Sequence, residues 1–287
     1  MAFFTKFASE EGPHISLKAE EIFEVAGFGV SNSIIYGVVV ALTVIALGMV
    51  AAKKARVHPI GGIVQLFELA MEFIIKMLED IFKSRKKAVQ YAPIFGTFFI
   101  FIVLSNLSGL MPVVGEGVTV GGTPVFRPFT ADLNATIALS VVAILTIQVL
   151  SIKESGLLGH LKHYFTDKPF NPINMFIGVL EVFGEVTRVI SLSLRLFLNT
   201  AVGEILIAVF ISVGGYASPL TVLPIVMFEV LVALIQAYVF TVLSATYLGL
   251  AIAHGHDHAE DEHHEAVHHT DEISKTGNIP ASSVSGN

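Results

Sequence analysis

The sequence predicts an all-α, polytopic integral membrane protein with about five membrane helices, two of them overlong and tilted, and one amphipathic interfacial helix. Three observations predict it. Apolar residues make up 53% of the 287-residue chain and charged residues only 14%, against about 25% charged in average soluble domains. The apolar residues gather in five blocks, each long enough to supply the roughly 20 residues that a bilayer-spanning helix needs. Lysine and arginine are concentrated in alternate connections between those blocks, the pattern left by the positive-inside rule.

Composition also excludes some classes. There is no cysteine, which removes disulfides and thiolate metal sites. There is no tryptophan, so an interfacial aromatic belt must use Tyr and Phe. The net charge of −7 says little about the membrane part, because much of the acid lies at the C-terminal end. Residues 1–33 read as an N-terminal extramembrane segment. Acids and lysines interrupt each apolar stretch there before a secretory h-region can form.

The first block is "IIYGVVVALTVIALGMVAA" at 34–52, followed by "KKAR". The second, "YAPIFGTFFIFIVLSNLSGLMPVV", covers about 91–114 and is preceded by "KSRKK". The third covers about 133–152, with Lys153, Lys162 and Lys168 after it. The fourth runs over about 172–213 and the fifth over about 219–253. The connection at 114–132 has one arginine and no lysine, and that at 214–218 has neither. The bias puts the N-terminus outside and the C-terminus in the cytoplasm. Residues 34–253 thus form the membrane domain.

Between the first two blocks, Gln65, Glu68, Glu72, Lys76, Glu79 and Lys83 recur at steps of three and four. They form one polar stripe on an otherwise apolar helix. Such a helix lies at the interface, docking a partner or anchoring to lipid.

The fourth block is too long to stand upright. Its residues would make roughly 60 Å of helix against a hydrocarbon core of about 30 Å. No proline interrupts it between Pro172 and Pro219, so it is either strongly tilted or broken inside the membrane. At about 100° per residue, Asn174, Glu181, Glu185, Arg188, Arg195 and Asn199 fall within about 40° of one line. Ionisable groups within a membrane are rare and usually mark an ion path. Glu185 and Arg188 can pair at i, i+3. Arg195 has no local acid. Glu185 and Glu204 lie roughly 15 and 13.5 Å away along the axis, and Glu204 is on nearly the opposite face. The partner of Arg195 must come from the fifth block or another chain, unless Arg195 snorkels from a broken helix end. In the fifth block Glu229 and Gln236, seven apart, share one face.

At these residues the sequence resembles subunit a of the F-type ATP synthase membrane sector. The resemblance is carried by "SLSLRLFLNTAVGE" and "EVLVALIQAYVFTVLSATYLGLAIAH". "FFIFIVLSNLSGLMP", "FRPFTADLNATIALSV" and "NPINMFIGVLEVFGEV" add to it, and together they cover about 30–254. It implies a stator subunit that provides two proton half-channels beside a rotor ring, coupling proton translocation to rotation and ATP synthesis. Arg195 is implied as the rotor-facing charge that separates the half-channels. Glu204 and Glu229 are implied in the outer half-channel, Asn199 and Gln236 close to Arg195, Asn106, Asp132 and Asn134 towards the outer entrance, and Glu181 and Glu185 on the cytoplasmic side. Two positions depart from the family pattern. Leu198 stands in "LNT" where the family usually has Gly-Asn-Met, and Gly109 stands where some members have Asp. The implied partners are ring subunits with a membrane carboxylate, peripheral-stalk subunit b, the lipid bilayer and protons, with no nucleic acid. No cofactor and no catalytic chemistry on this chain are implied. The absence of a transit peptide and the outward N-terminus fit a bacterial inner membrane.

Residues 254–287 read as a His- and acid-rich disordered cytoplasmic tail, since such a segment cannot bury enough apolar surface to fold alone. Seven of the eleven histidines fall within 254–269. His254, His256 and His258 are candidates for a weak zinc or nickel site, proton buffering is a second use, and a plain solvated tail is the third. Two other functions compete for the whole chain. A divalent-cation permease with a metal-collecting tail needs carboxylate or imidazole ligands in mid-membrane, where this chain has an arginine. A non-conducting anchoring protein explains the amphipathic helix but not the paired polar faces.

Overall fold

The structure is a computed structural model. It describes the backbone of residues 21–25, 28–54, 62–111, 115–120, 123–164 and 172–276, and the side chains of 31–53, 62, 64–111, 127–154, 156, 176 and 178–252. The helices are α1 (Asn32–Lys54), α2 (Gly62–Phe82), α3 (Arg85–Gly109), α4 (Leu133–Tyr164), α5 (Pro172–Gly214) and α6 (Ser218–Thr276). The all-α class holds, with two small antiparallel hairpins added. One joins β1 (Glu21–Val25) to β2 (Phe28–Ser31), and the other joins β3 (Gly115–Val120) to β4 (Thr123–Phe126).

Four stretches among the described residues are long and apolar enough to cross a membrane: Asn32–Lys53, Arg85–Gly109, Leu133–Glu154 and Gly178–Ile252. The last contains the turn Gly215–Ala217 and so comprises α5 and α6. That makes five membrane helices. α5 is continuous over 43 residues, so the arginine-bearing segment is one long helix rather than two short ones.

Contacts divide the chain into two compact units. One comprises Met1–Thr146 with Gly184–Thr246, and the other comprises Ile147–Phe183 with Tyr247–Asn287. In the second unit α4 is interrupted at Gly156 (φ 75°, ψ 158°), a conformation open to glycine but strained for other residues. There α6 buries Leu248 and Ile252 and carries helical backbone to Thr276. Helix therefore runs on past His254, where composition predicted a disordered tail. The side chains of the histidine-rich stretch, His254, His256 and His258 among them, lie outside the described residues.

The first unit holds the polar residues of interest. α2 runs antiparallel along α3. Phe82 meets Tyr91 at a ring-centroid distance of 5.4 Å, and Phe73 meets Phe99 at 6.2 Å, so one helix descends as the other rises. Gly96 makes the approach close, since a Cβ there would come 2.8 Å from Met71 Sδ. The amphipathic pattern is realised. Val64, Ile74, Met77 and Leu78 are buried, while Gln65, Glu68, Glu72, Lys76 and Lys83 are exposed and Glu79 is half-buried. Lys76 pairs with Glu72 at 2.9 Å, and this hydrogen bond and charge hold the Glu72 carboxyl below the usual range. Exposed pairs of this kind add little stability. The sequence alone did not show that α2 packs along a neighbour, because one stripe cannot say what covers its apolar side.

α1 is pinned to the start of α4. The Ser33 hydroxyl donates to Asp132 Oδ2 at 2.5 Å, and the Asn134 N–H donates to Asp132 Oδ1 at 3.0 Å. Asp132 has extended backbone (φ −110°, ψ 121°) and its carbonyl accepts from the Thr136 N–H at 3.0 Å. This is N-cap geometry.

α5 and α6 form an antiparallel pair around a tight turn in which Gly215 takes φ 49°. The Thr221 hydroxyl donates to the Phe210 carbonyl at 3.3 Å. Farther from the turn, Glu229 meets Gly203, where a Cβ would come 2.5 Å from Glu229 Oε2. These two contacts set the register. Carried further from the turn, it brings Gln236 to the level of Arg195.

Candidate ion-path site

The site is built from α3, α5 and α6. Asn106, Gly109, Leu110, Pro128, Asn199, Thr200, Gly203, Glu204, Glu229 and Ala233 are among the residues lining a cavity of about 40 Å³. At roughly 10–15 Å³ per water, it holds about three water molecules. Glu229 is buried and its carboxylate lies on the bare backbone of Gly203. Asn106 is buried, and its Oδ1 has no hydrogen-bond partner among the described residues. A buried amide oxygen without a partner is unfavourable in a dry site and satisfied in a wet one. Two carboxylates and an open acceptor around a small cavity form a polar site with the chemistry to hold water and exchange protons with it.

Asn199 and Glu204 reach this cavity from helix positions roughly 140° apart at 100° per residue. The cavity wraps around α5 over that arc. A helical wheel drawn for one helix separates them, and only the position of α3 and α6 shows that they share a space.

Arg195 lies one turn from Asn199. It is half-buried and makes no hydrogen bond or ion pair among the described residues. Ser191, Leu194, Leu198 and Val202 beside it are exposed, whereas Leu192 and Leu196 are fully buried. Arg195 therefore stands on the border between the packed interior and an open apolar face. α6 carries exposed apolar residues of its own, Met227, Leu231, Leu234, Ile235 and Tyr238. Gln236, level with Arg195, is buried, and its Nε2 has no partner among the described residues. The predicted pair is present: Arg188 Nη1 donates to Glu185 Oε1 at 2.5 Å. Along the seam Glu185, Arg188, Arg195 and Asn199 are all half-buried. Glu181, also half-buried, belongs to the second unit.

Two sequence candidates stand elsewhere. Asp132 is buried in the cap described above, bound to Ser33 and the Asn134 backbone, and Asn134 is exposed. Neither lines the cavity. Gly203 was not singled out by the sequence, because the meaning of a small residue there depends on the register with α6. Gly109 has a structural reason for lacking a side chain. A Cβ there would come 3.0 Å from Pro128 Cβ and Cγ, so an acid at this position would require the Pro128 segment to shift.

A family model described as the ATP synthase A chain matches residues 34–249. The chain belongs to that family. It is 30% identical over 236 residues to ATP synthase subunit a of Moorella thermoacetica, covering 82% of this chain and 97% of that one. It is 31% identical over 226 residues to ATP synthase subunit a of Geotalea uraniireducens, with 79% and 90% covered. To ATP synthase subunit a of Gloeobacter violaceus it is 33% identical over 233 residues, with 79% and 83% covered. Arg195, Asn199, Glu204, Glu229 and Gln236 all fall inside the matched span of this ATP synthase A chain family member. The long apolar helices and the family together make it a multi-pass membrane protein.

Proposed function

We propose that this chain is the stationary ion-conducting subunit of an ATP synthase membrane sector, passing protons to and from a rotating ring. Membership of the ATP synthase A chain family supports this. The observation that carries the mechanism is Arg195, a cation on the edge of an exposed apolar face, with no partner among the described residues. A central arginine costs about 2.5–3.5 kcal/mol even on the lenient scale. It is tolerated when a mobile carboxylate on a neighbouring chain comes to meet it.

The steps follow from electrostatics. A proton reaches the cavity lined by Asn106, Asn199, Glu204 and Glu229 and passes to a ring carboxylate. Once neutral, that carboxylate can travel through lipid, because most of its desolvation penalty has gone. On returning to the cytoplasmic side it releases the proton along the seam that includes Glu181 and Glu185. Arg195 attracts the ionised carboxylate and repels a free cation, which keeps the two half-paths apart. Gln236, level with Arg195, offers it a polar neighbour. Asp132 and Asn134 support the outer entrance by holding α4 against α1 rather than by lining the cavity.

The partners in this reading are ring subunits with a membrane carboxylate and peripheral-stalk subunit b. The location is a bacterial inner membrane, with the N-terminus outside and residues 254–287 in the cytoplasm. The divalent-cation permease is set aside on the family and on the charge of Arg195, which repels such ions. Affinity purification of the tagged chain from mild detergent tests the assembly. A small two-helix ring protein with a membrane carboxylate should travel with it in several copies, and purification without such a protein contradicts the reading.

A further inference from the structure

The cavity between α3, α5 and α6 has a polar wall residue that the mechanism above does not use. Thr200 lines it together with Asn106, Glu204 and Glu229. Two departures from the family pattern meet there. Gly109 lines the cavity without a side chain, where some members have Asp. Thr200 lines it with a hydroxyl, in the place of the Met of Gly-Asn-Met. The Thr200 hydroxyl donates to the Leu196 carbonyl at 3.2 Å, one turn back along α5. A threonine hydroxyl has one proton and two lone pairs. With its proton given to the helix backbone, it can only accept from anything else. Asn106 Oδ1 is a second acceptor at this cavity, without a partner among the described residues. Ionised carboxylates at 204 and 229 also only accept. A wall of acceptors suits an occupant that brings protons, which is water or hydronium. Thr200 and Glu204 stand at i and i+4 on α5, neighbours on a helix surface with about 5–6 Å between Cβ atoms. One water can touch both.

We propose that Thr200 is a positioning residue of the outer half-path, whose hydroxyl oxygen holds the water that carries protons between the Glu204 and Glu229 carboxylates. The held water takes a proton from one carboxyl and gives another to the second carboxylate. It ends as water again, and Thr200 keeps its own proton throughout. A fixed acceptor turns the water so that its hydrogens and lone pairs meet the two acids in a set order, where a smooth apolar wall would leave it to tumble. Thr200 thus supplies a polar group to a wall on which Gly109 offers none. The assignment rests on the proton-path reading above.

The test is ATP-driven proton pumping in membrane vesicles containing the assembled complex, with subunit co-purification as the assembly check. Thr200→Ser keeps the hydroxyl. Thr200→Val keeps the shape and makes this part of the wall apolar. Thr200→Ala removes the hydroxyl but leaves room for a further water in its place. Thr200→Ser should pump near the wild-type rate, and Thr200→Val should lose roughly three- to tenfold, the worth of one hydrogen bond. Thr200→Ala should fall between them. A side chain that only packed would give the opposite order, with Thr200→Val the best of the three and Thr200→Ala the worst. Thr200→Val pumping like wild type overturns the assignment, as does Thr200→Ala no better than Thr200→Val. Should Thr200→Val fail to assemble, Thr200→Cys takes its place, being close in size with a sulfur that accepts only weakly. It should show the same loss, and a wild-type rate overturns the assignment. Glu229→Gln separates the two claims. If it pumps normally, the path through this cavity fails. If it is impaired while Thr200→Val is not, only the role of Thr200 fails.

Discussion

The Glu229 carboxylate rests on the bare backbone of Gly203. A Cβ at 203 would come 2.5 Å from Oε2 and 2.6 Å from the carboxyl carbon. The contact joins α5 to α6 at the cavity and sets the level at which every polar group on one helix faces the other.

Gly203→Ala should therefore push the Glu229 carboxylate out of place. Overpacking of this kind costs about 1–3 kcal/mol. Proton pumping should fall, and Gly203→Ala/Glu229→Asp, which withdraws the carboxylate by one methylene, should recover part of it. The rates of the single and double variants in assembled complexes check this.

Two glycines of α1 make a paired test of packing. A Cβ at Gly37 would come 2.3 Å from Phe129 Cδ2, whereas nothing lies within 4 Å of one at Gly48. Gly37→Ala should destabilise the protein by about 1–3 kcal/mol, and Gly48→Ala should stay within about 0.5 kcal/mol of wild type. Thermal melting of the purified complex distinguishes them.

Asp132 separates scaffold from path. As an N-cap bound to Ser33 it should be replaceable by Asn, which caps as well, but not by Ala, which costs about 0.5–2 kcal/mol at such positions. Asp132→Ala should lower the melting temperature, and Asp132→Asn should retain both stability and pumping. A strong pumping defect in a stable Asp132→Asn complex would place this residue back on the path.

Much of the architecture was legible in the sequence because membrane helices are written in block length and hydropathy. The overlong α5 could be read from the absence of proline between Pro172 and Pro219, and the Glu185–Arg188 pair from spacing alone. Long-range geometry was not legible. The family resemblance implies a place for Asp132 towards the outer entrance, but its bond to Ser33, 99 residues away, leaves no trace in local spacing. Glu204 looked separate from Asn199 because a wheel shows one helix and the cavity is made by three. Gly203 carried no signal until its opposite residue was known. Arg127 was visible in "FRPFTADLN", but its burial was not.

The central claim is that Arg195 is kept without a fixed partner so that a moving carboxylate can meet it. The most direct measurement is ATP-driven proton pumping by complexes carrying Arg195→Ala, with assembly verified by co-purification. The account predicts an assembled complex in which pumping is abolished. An assembled Arg195→Ala complex that pumps at the wild-type rate would contradict it.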